Sequence, residues 1–291
     1  MEAKQNPAAA IGFMLTASAL VAGTTLIAKL IGRGYLGEPL HPLQISHGRF
    51  LFAFLAFSGY SLAARLRITQ PNLKLHAARS FAGWSGISLT FAAVAFIPLA
   101  DATAISFLNP FFAMLLAIPF LGEKVGPWRW IALAIALSGA LVLARPGAGS
   151  FELGALIALA AAFALGVEVI FIKLLTNREA PLQILWINNA IGLTIASLAV
   201  LFVFQWPSPA QWLALAVLGF TMALAQTCFI QSMRRAEASL VAPFIYTTLL
   251  FAAAYDFLWF ATTPTRASLT GSALILSAAG LLAWRESRKA G

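Results

Sequence analysis

The chain has 291 residues and a net charge of +9, with 60% hydrophobic and only 10% charged residues. Soluble domains contain about 45–50% apolar and about 25% charged residues, so this composition excludes an ordinary soluble protein. The positive charge does not indicate nucleic-acid binding, because the Lys and Arg residues form no phosphate-tracking patch with interleaved aromatic side chains.

Hydrophobic runs of about 20 residues match the hydrocarbon core of a bilayer and recur along the whole chain. In chain order they predict ten membrane-spanning helices, near residues 9–32, 42–64, 79–98, 102–121, 127–144, 153–175, 181–204, 209–231, 237–260 and 267–284. Most connections between them are short and many contain Pro or Gly, which leaves no stretch for a soluble domain. The sequence therefore predicts an all-α polytopic membrane protein.

Basic residues are distributed unevenly over the two sets of loops. If the N-terminus is cytoplasmic, the outer loops contain only Arg33, Arg145 and Arg266. The inner loops and tails then contain Lys4, Arg65, Arg67, Lys74, Arg79, Lys124, Arg129, Arg178, Arg234, Arg235, Arg285, Arg288 and Lys289. Because cytoplasmic loops carry the excess of Lys and Arg, both termini are predicted to be cytoplasmic.

Several short segments occur twice in the same order, which indicates an internal duplication. The matching pairs are PLQI at 42–45 and 181–184, LIAKLIG at 26–32 and IFIKLLT at 170–176, and SFLNPFF at 106–112 and SLVAPFI at 239–245. The duplication predicts a first five-helix repeat at 1–147 and a second at 148–291. Five is an odd number, so the second repeat must enter the membrane upside down relative to the first. Inverted repeats of this kind are characteristic of secondary transporters with a central site near the bilayer midplane, although some channels are also duplicated.

Four segments at matching helix positions resemble the drug/metabolite transporter superfamily, in particular its ten-helix EamA-type members. They are AGTTLIAKL in the first helix, GRF with Arg49 in the second, ISFLNPFFAMLLAIPFLGEKV at 105–125, and GSALILSAAGLL at 271–282. The second half departs from this pattern, because AAYDFLWFATT stands where a second Gly-Glu would recur. The resemblance implies export of small metabolites or drugs, and it is closest to the YddG-like exporters of aromatic amino acids.

Ionisable side chains inside the membrane are costly and are therefore candidates for charge or proton coupling. Lys29, Arg49 and Glu168 are the three that we single out. Lys29 could instead extend to the headgroups, and Glu168 could be a structural partner for a basic residue on a neighbouring helix. Arg49 could bind a substrate carboxylate, cap helix-end carbonyls, or pair with Glu38 or Asp101.

Polar and aromatic residues near mid-membrane are candidates for a substrate-binding cavity. They are Trp84, Tyr246, Asn109, Asn188, Gln226, His47 and Trp186. The rings of Trp84 and Tyr246 lie away from the interfacial belts and could stack on an aromatic or cationic substrate, whereas the amides could also simply link helices. His47 and Trp186 occupy equivalent repeat positions, three residues after the glutamine of each PLQI, and His47 could be either a packing residue or a proton carrier.

Two prolines, Pro110 and Pro243, occupy equivalent positions inside the fourth and ninth predicted helices. Each removes a backbone hydrogen bond and is expected to kink its helix. The pair could form hinges for a transport motion or could be packing kinks.

No nucleotide-binding P-loop, H-E-x-x-H, paired Cys or His cluster is present in the sequence, so we expect no cofactor, no metal and no enzymatic activity. We expect a multi-pass protein of a bacterial inner membrane that exports small metabolites by alternating access. Amino acids with aromatic or apolar side chains are the expected substrates, with related amphipathic drugs and proton coupling left open. The alternatives are a passive channel for small metabolites and an intramembrane enzyme acting on lipid.

Overall fold

The computed structural model describes residues 6–63, 68–121, 126–144, 153–176, 179–233, 235, 244–245 and 247–290. Within these ranges the chain forms eleven α-helices and no β-strand. The helices are α1 (Pro7–Gly32), α2 (Pro42–Ala63), α3 (Leu73–Phe96), α4 (Leu99–Ser106), α5 (Asn109–Leu121), α6 (Pro127–Ala144), α7 (Leu153–Thr176), α8 (Pro181–Val200), α9 (Pro209–Met233), α10 (Thr247–Phe260) and α11 (Arg266–Ala290). The prediction of an all-α polytopic protein is confirmed.

The fourth predicted span is a broken helix, formed by α4 and α5 in succession. Pro110 is the second residue of α5 and has no backbone N–H to donate to the preceding turn. The chain turns tightly at this point, with the Leu108 N–H donating to the Ile105 carbonyl at 3.0 Å. The two short helices together cover the candidate span at Leu99–Phe120.

Five helical stretches of 19 to 25 residues are long and apolar enough to cross a membrane, with mean hydropathies between 1.4 and 2.5. They are Ala8–Gly32, Leu99–Phe120, Leu153–Ile172, Leu182–Val200 and Pro209–Ser232. Helices α2 and α3 are more polar because they contain Arg49, His76 and Arg79, all of which are buried inside the bundle. Large apolar side chains such as Phe202, Leu250 and Leu258 are exposed on the outer surface, as expected for a protein surrounded by lipid.

The helix pairs of the bundle stay the same when each helix is replaced by its counterpart in the other half. Helix α3 of the first half packs along α7 of the second. The equivalent pair, α9 of the second half and α1 of the first, packs in the same way. Helices that are counterparts of one another also meet, α2 with α8 and α6 with α11. This pattern is that of a pseudo-two-fold axis.

Counterpart helices run in opposite directions. The indole Nε1 of Trp186, near the start of α8, donates to Ser58 Oγ near the end of α2 at 3.2 Å. At the other end of the same pair, Gln44 at the start of α2 bonds to Gln205, which follows the end of α8. The α2 and α8 axes are therefore antiparallel, as inversion requires. We call the end of the bundle where α1 begins the terminal face, and the other end the opposite face.

Small residues allow the helices of the main apolar cluster to approach closely. Its buried members include Ala132 and Ala136 of α6 and Ile275 and Ala278 of α11. At Gly139 of α6 a Cβ atom would lie 2.6 Å from the Gly271 carbonyl oxygen of α11, so only glycine fits there. In a membrane this close packing replaces the hydrophobic drive that holds soluble helices together.

Candidate functional site

Three ionisable side chains from three different helices lie within electrostatic range of one another inside the bundle: Arg49 of α2, Arg79 of α3 and Glu168 of α7. Arg79 Nη2 lies 3.4 Å from Glu168 Oε1, and its Nη1 donates to the Ile184 carbonyl at 3.3 Å. Arg49 is within electrostatic range of both Glu168 and Arg79. We call these three residues the charge cluster.

The local sequence of α3 makes room for the carboxylate. A Cβ atom at Gly83, one turn after Arg79, would lie 2.7 Å from Glu168 Oε1. Glycine at this position lets the carboxylate lie directly against the α3 backbone, beside the Arg79 guanidinium. The position of Glu168 is thus determined by one missing side chain and one cation on the same face of α3.

Arg49 is only 3% exposed, and its guanidinium carbon lies 4.5 Å from the centre of the Phe50 ring. Its Nη1 atom has no hydrogen-bond partner among the residues that the structure describes. Arg79 Nε also has no hydrogen-bond partner among these residues. The cluster therefore contains two guanidinium groups, one carboxylate and unsatisfied N–H donors from two helices.

Polar side chains continue along α3 from the charge cluster. Ser80 is fully buried, and its hydroxyl donates to Asn188 Oδ1 of α8 at 3.1 Å. Trp84, one turn further, has a buried Nε1 with no partner in the described residues, and its ring lies 5.9 Å from that of Phe81. A polar strip with unsatisfied donors thus runs along α3 and contacts α8 through Arg79 and Ser80.

The glutamines of the two PLQI segments make equivalent bonds at opposite ends of the bundle. At the opposite face, Gln44 Nε2 donates to the Gln205 carbonyl at 2.5 Å, and the Gln205 N–H donates to Gln44 Oε1 at 3.0 Å. At the terminal face, the Thr69 N–H donates to Gln183 Oε1 at 2.8 Å, and Gln183 Nε2 donates to the Thr69 carbonyl at 3.1 Å. Each glutamine binds both backbone groups of one residue in the other half of the chain. We call these two contacts the glutamine clamps.

The surroundings of the clamps are equivalent as well. Three residues after Thr69, Asn72 accepts the Leu75 N–H at the start of α3 at 3.2 Å. Three residues after Gln205, Ser208 accepts the Gln211 N–H at the start of α9, also at 3.2 Å. Each clamp therefore holds the loop that leads into an equivalent helix.

The terminal-face clamp also contains a carboxylate beside a histidine ring. Glu179 Oε1 accepts a hydrogen bond from the Asn72 N–H at 2.9 Å. Its Oε2 atom accepts one from Gln183 Nε2 at 2.7 Å and also lies 2.7 Å from His76 Nε2. Burial alone would raise the pKa of Glu179, but its bonds with Asn72, His76 and Gln183 outweigh this effect and lower it.

The opposite-face clamp is extended by uncharged contacts instead. Gln211 Nε2 donates to the Glu38 carbonyl at 2.7 Å, and Ser208 Oγ donates to the Leu36 carbonyl at 3.1 Å. A pocket of about 460 Å³ opens beside these contacts and is lined in part by Gln205, Gln211 and Trp212.

Lys29 of α1 forms a second buried ion pair, close to the opposite face. Its Nζ lies 2.5 Å from Asp256 Oδ1 of α10, and the two side chains are 1% and 3% exposed. Asp256 Oδ2 accepts the Ala100 N–H at the start of α4 at 3.1 Å. The pair joins three helices, so Lys29 does not extend to the headgroups.

The other predicted site residues lie in several places. The carboxylate near Arg49 is Glu168, and not Glu38 or Asp101. Asn188 is buried against Ser80, whereas Gln226 of α9 is half-buried with an Oε1 atom that has no partner in the described part of the chain. His47 of α2 and Asn109 of α5 are half-buried. Tyr246 and Pro243 lie outside the described residues, and of Pro110 only the backbone is described.

Sequence reasoning missed Arg79 and Asp256 as members of ion pairs. The third predicted span begins at Arg79, which the sequence therefore predicts to be a basic residue of an inner loop. Helix α3 begins six residues earlier, at Leu73, so Arg79 is inside the helix. The signal for Asp256 was present, since it is an isolated acidic residue inside the ninth apolar run. Its partner Lys29 is 227 residues away in sequence, which no local pattern reveals.

Comparison with known proteins gives the family. The model of the EamA-like transporter family matches residues 8–145 and again 152–284. The chain is 30% identical to a riboflavin transporter of Rhizobium johnstonii, over 82% of this chain and 79% of the relative. It is 26% identical to an S-adenosylmethionine uptake transporter of Rickettsia felis over 87% of both chains. It is also 27% identical to the pseudopaline exporter CntI of Pseudomonas aeruginosa, over 74% of this chain and 76% of the relative.

A solved crystal structure shares the fold, with a TM-score of 0.65 at 19% identity over 98% of this chain and 99% of the other. The predicted resemblance to EamA-type members of the drug/metabolite transporter superfamily is confirmed. The relatives are named as transporters and not as enzymes. The chain is therefore a multi-pass membrane protein that belongs to the EamA-like transporter family.

Proposed function

We propose that the protein is a secondary transporter that carries a small organic metabolite by alternating access, along the seam between its two inverted halves. The observation that carries this proposal is the matched pair of glutamine clamps, one at each end of the bundle. Two halves of one shape, packed as inverted copies, can exchange conformations so that one end opens while the other closes.

The clamps are suited to this exchange because the glutamine in each one makes neutral hydrogen bonds to a loop backbone. Such bonds contribute only about 0.5–1.5 kcal/mol each when water can replace them, so they can break and reform during a transport cycle. The charge cluster lies between the two clamps along α2 and α3. A substrate bound there would remain enclosed by one clamp while the other clamp is open.

The substrate that we propose is an amino acid with an aromatic or apolar side chain, moved outward across a bacterial inner membrane with both termini cytoplasmic. The unsatisfied guanidinium and indole donors of Arg49 and Trp84 support this choice, since they provide polar contacts next to the aromatic rings of Phe50 and Phe81. The relatives' names include both uptake and export, so the direction rests on the resemblance alone.

Exchange in proteoliposomes tests the proposal. Vesicles containing the purified protein are preloaded with phenylalanine, tryptophan or leucine, and uptake of the labelled compound is measured with and without a pH gradient. We expect saturable uptake that is accelerated by the preloaded compound and reduced in Trp84→Ala. Flux that neither saturates nor responds to preloading would indicate a channel, and flux no greater than in protein-free vesicles would exclude these substrates.

A further inference from the structure

We infer that the charge cluster is an anion site that takes the carboxylate group of the transported molecule, and that Arg49 is the cation that binds it. This inference deepens the proposed function and rests on it. It starts from the contrast between the two buried arginines, because Arg79 has a carboxylate and a carbonyl as partners whereas Arg49 Nη1 has none among the described residues.

The charge balance of the cluster indicates an anion. Arg79 and Glu168 neutralise each other at 3.4 Å, which leaves the charge of Arg49 without a carboxylate of its own in the described residues. An uncompensated charge buried at 3% exposure is costly inside a membrane and is retained where it has a function. A ligand that carries one negative charge would make the cluster neutral.

The geometry of the donors selects a carboxylate among the anions. A guanidinium presents two parallel N–H groups that match the two oxygens of a carboxylate, and such bidentate pairs are shorter and stronger than neutral hydrogen bonds. A dianionic phosphate would exceed the single positive charge that is available. Beyond the cluster, Ser80 and Trp84 continue the polar strip along the same helix, where the rest of an amphipathic molecule would lie.

The site is tested with small anions, which do not require the substrate to be known. The thermal unfolding of the purified protein is measured in sodium acetate, in sodium chloride of equal ionic strength, and in acetamide as the uncharged isostere. We expect acetate to raise the unfolding temperature more than chloride does, and acetamide to have no effect. Equal shifts in acetate and chloride would overturn the assignment to a carboxylate.

Two variants locate the effect. Arg49→Gln should weaken acetate binding at least about tenfold, because a charged hydrogen-bond partner is lost, and Arg49→Lys should reduce the response to the level seen in chloride. Arg33→Gln is the matched control, since it removes one positive charge from an exposed position at the end of α1 and should leave the response unchanged. An acetate response that persists in both Arg49 variants would contradict the inference.

The outcome separates the site from the proposed function. If exchange occurs in proteoliposomes but neither its affinity nor the acetate response depends on Arg49, the protein is a transporter and the anion site is wrong. If acetate binds through Arg49 but no amino acid is exchanged, the site is supported and the proposed substrate class fails.

Discussion

At the scale of single residues, we expect substitutions of Glu168 and Arg49 in the charge cluster to have different effects on stability. Glu168 is the carboxylate partner of Arg79, so Glu168→Gln would leave Arg79 as a second unpaired buried cation beside Arg49. Breaking a buried ion pair in this way costs about 3–5 kcal/mol. Arg49→Gln leaves the Arg79–Glu168 pair intact, so we expect it to be neutral or slightly stabilising. Chemical unfolding of the purified variants measures both effects.

The double variant Glu168→Gln/Arg49→Gln provides the control for this prediction. It contains only one unpaired cation, Arg79, so it should be more stable than Glu168→Gln alone and show a coupling between the two positions of about 0.5–3 kcal/mol. Additive effects of the two substitutions would mean that Arg49 and Glu168 do not interact. Destabilisation by Arg49→Gln alone would show that Arg49 has a structural partner.

Glu179 predicts an acid-dependent loss of stability at the terminal face. Its pKa is lowered in the folded protein, so its contribution is fully present above the unfolded value of about 4.3 and is lost as the pH falls through the folded value. The unfolding temperature of the unaltered protein should therefore fall more steeply between about pH 5 and pH 3 than that of Glu179→Gln. Glu38→Gln, at an exposed carboxylate, should leave the pH profile unchanged. Superimposable profiles of Glu179→Gln and the unaltered protein would contradict the assignment.

The sequence predicts single site residues better than their partners. Arg49, Glu168 and Lys29 are recognisable because a charge inside an apolar run is rare. Their partners depend on how each helix is rotated and shifted against its neighbours, and the Arg79–Glu168 and Lys29–Asp256 pairs join helices that are far apart in sequence. A single sequence contains no local signal for such pairs.

At the scale of helices, two glycines at equivalent repeat positions have different surroundings. The repeat aligns ALSGALVL at 136–143 with SAAGLLAW at 277–284, and so aligns Gly139 with Gly280. Gly139 of α6 is buried, and a Cβ atom there would lie 2.6 Å from the Gly271 carbonyl oxygen of α11. Gly280 of α11 is exposed, and a Cβ atom there would have nothing within 4 Å. The sequence pattern alone treats the two positions as equivalent, because it does not show which side of a helix meets another helix and which meets lipid.

These two glycines give a matched pair of substitutions. Gly139→Ala should destabilise the protein by about 1–3 kcal/mol, because the added methyl group forces α6 and α11 apart. Gly280→Ala should be neutral or stabilising by up to about 1 kcal/mol, because alanine favours the helix and contacts nothing. Thermal unfolding of both variants in one detergent checks the difference in sign. Equal effects at the two positions would contradict the α6–α11 packing.

The helices themselves are predicted well, apart from the one that is broken and the first part of the ninth predicted helix. Of residues 237–246 only 244–245 are described, and α10 is described from Thr247. Apolar runs of the right length indicate the spans, and Pro110 correctly suggests an interruption of the fourth. The sequence does not show that the interruption is a full break with a tight turn between α4 and α5, because that depends on how the carbonyls freed by proline find other partners.

At the scale of the whole molecule, inversion follows from a simple count, since two copies of an odd number of spans must face opposite ways. The PLQI repeat is visible in the sequence as a trace of the duplication. The contacts of its glutamines become visible only in the fold, where each binds the backbone of a residue in the other half, at Gln205 and Thr69. The sequence thus predicts the inverted symmetry, and the structure shows which residues make equivalent contacts in the two halves.

The glutamine clamps allow the most direct test of alternating access. In a Cys228→Ala background, Ser80→Cys places a single thiol on α3 between the two faces, and its labelling by a membrane-impermeant reagent is measured from each side. Gln183→Leu should increase labelling from the terminal face alone, and Gln44→Leu from the opposite face alone. If both substitutions increased labelling from the same side, or if either one opened both sides at once, the seam between the inverted halves would not be an alternating pathway.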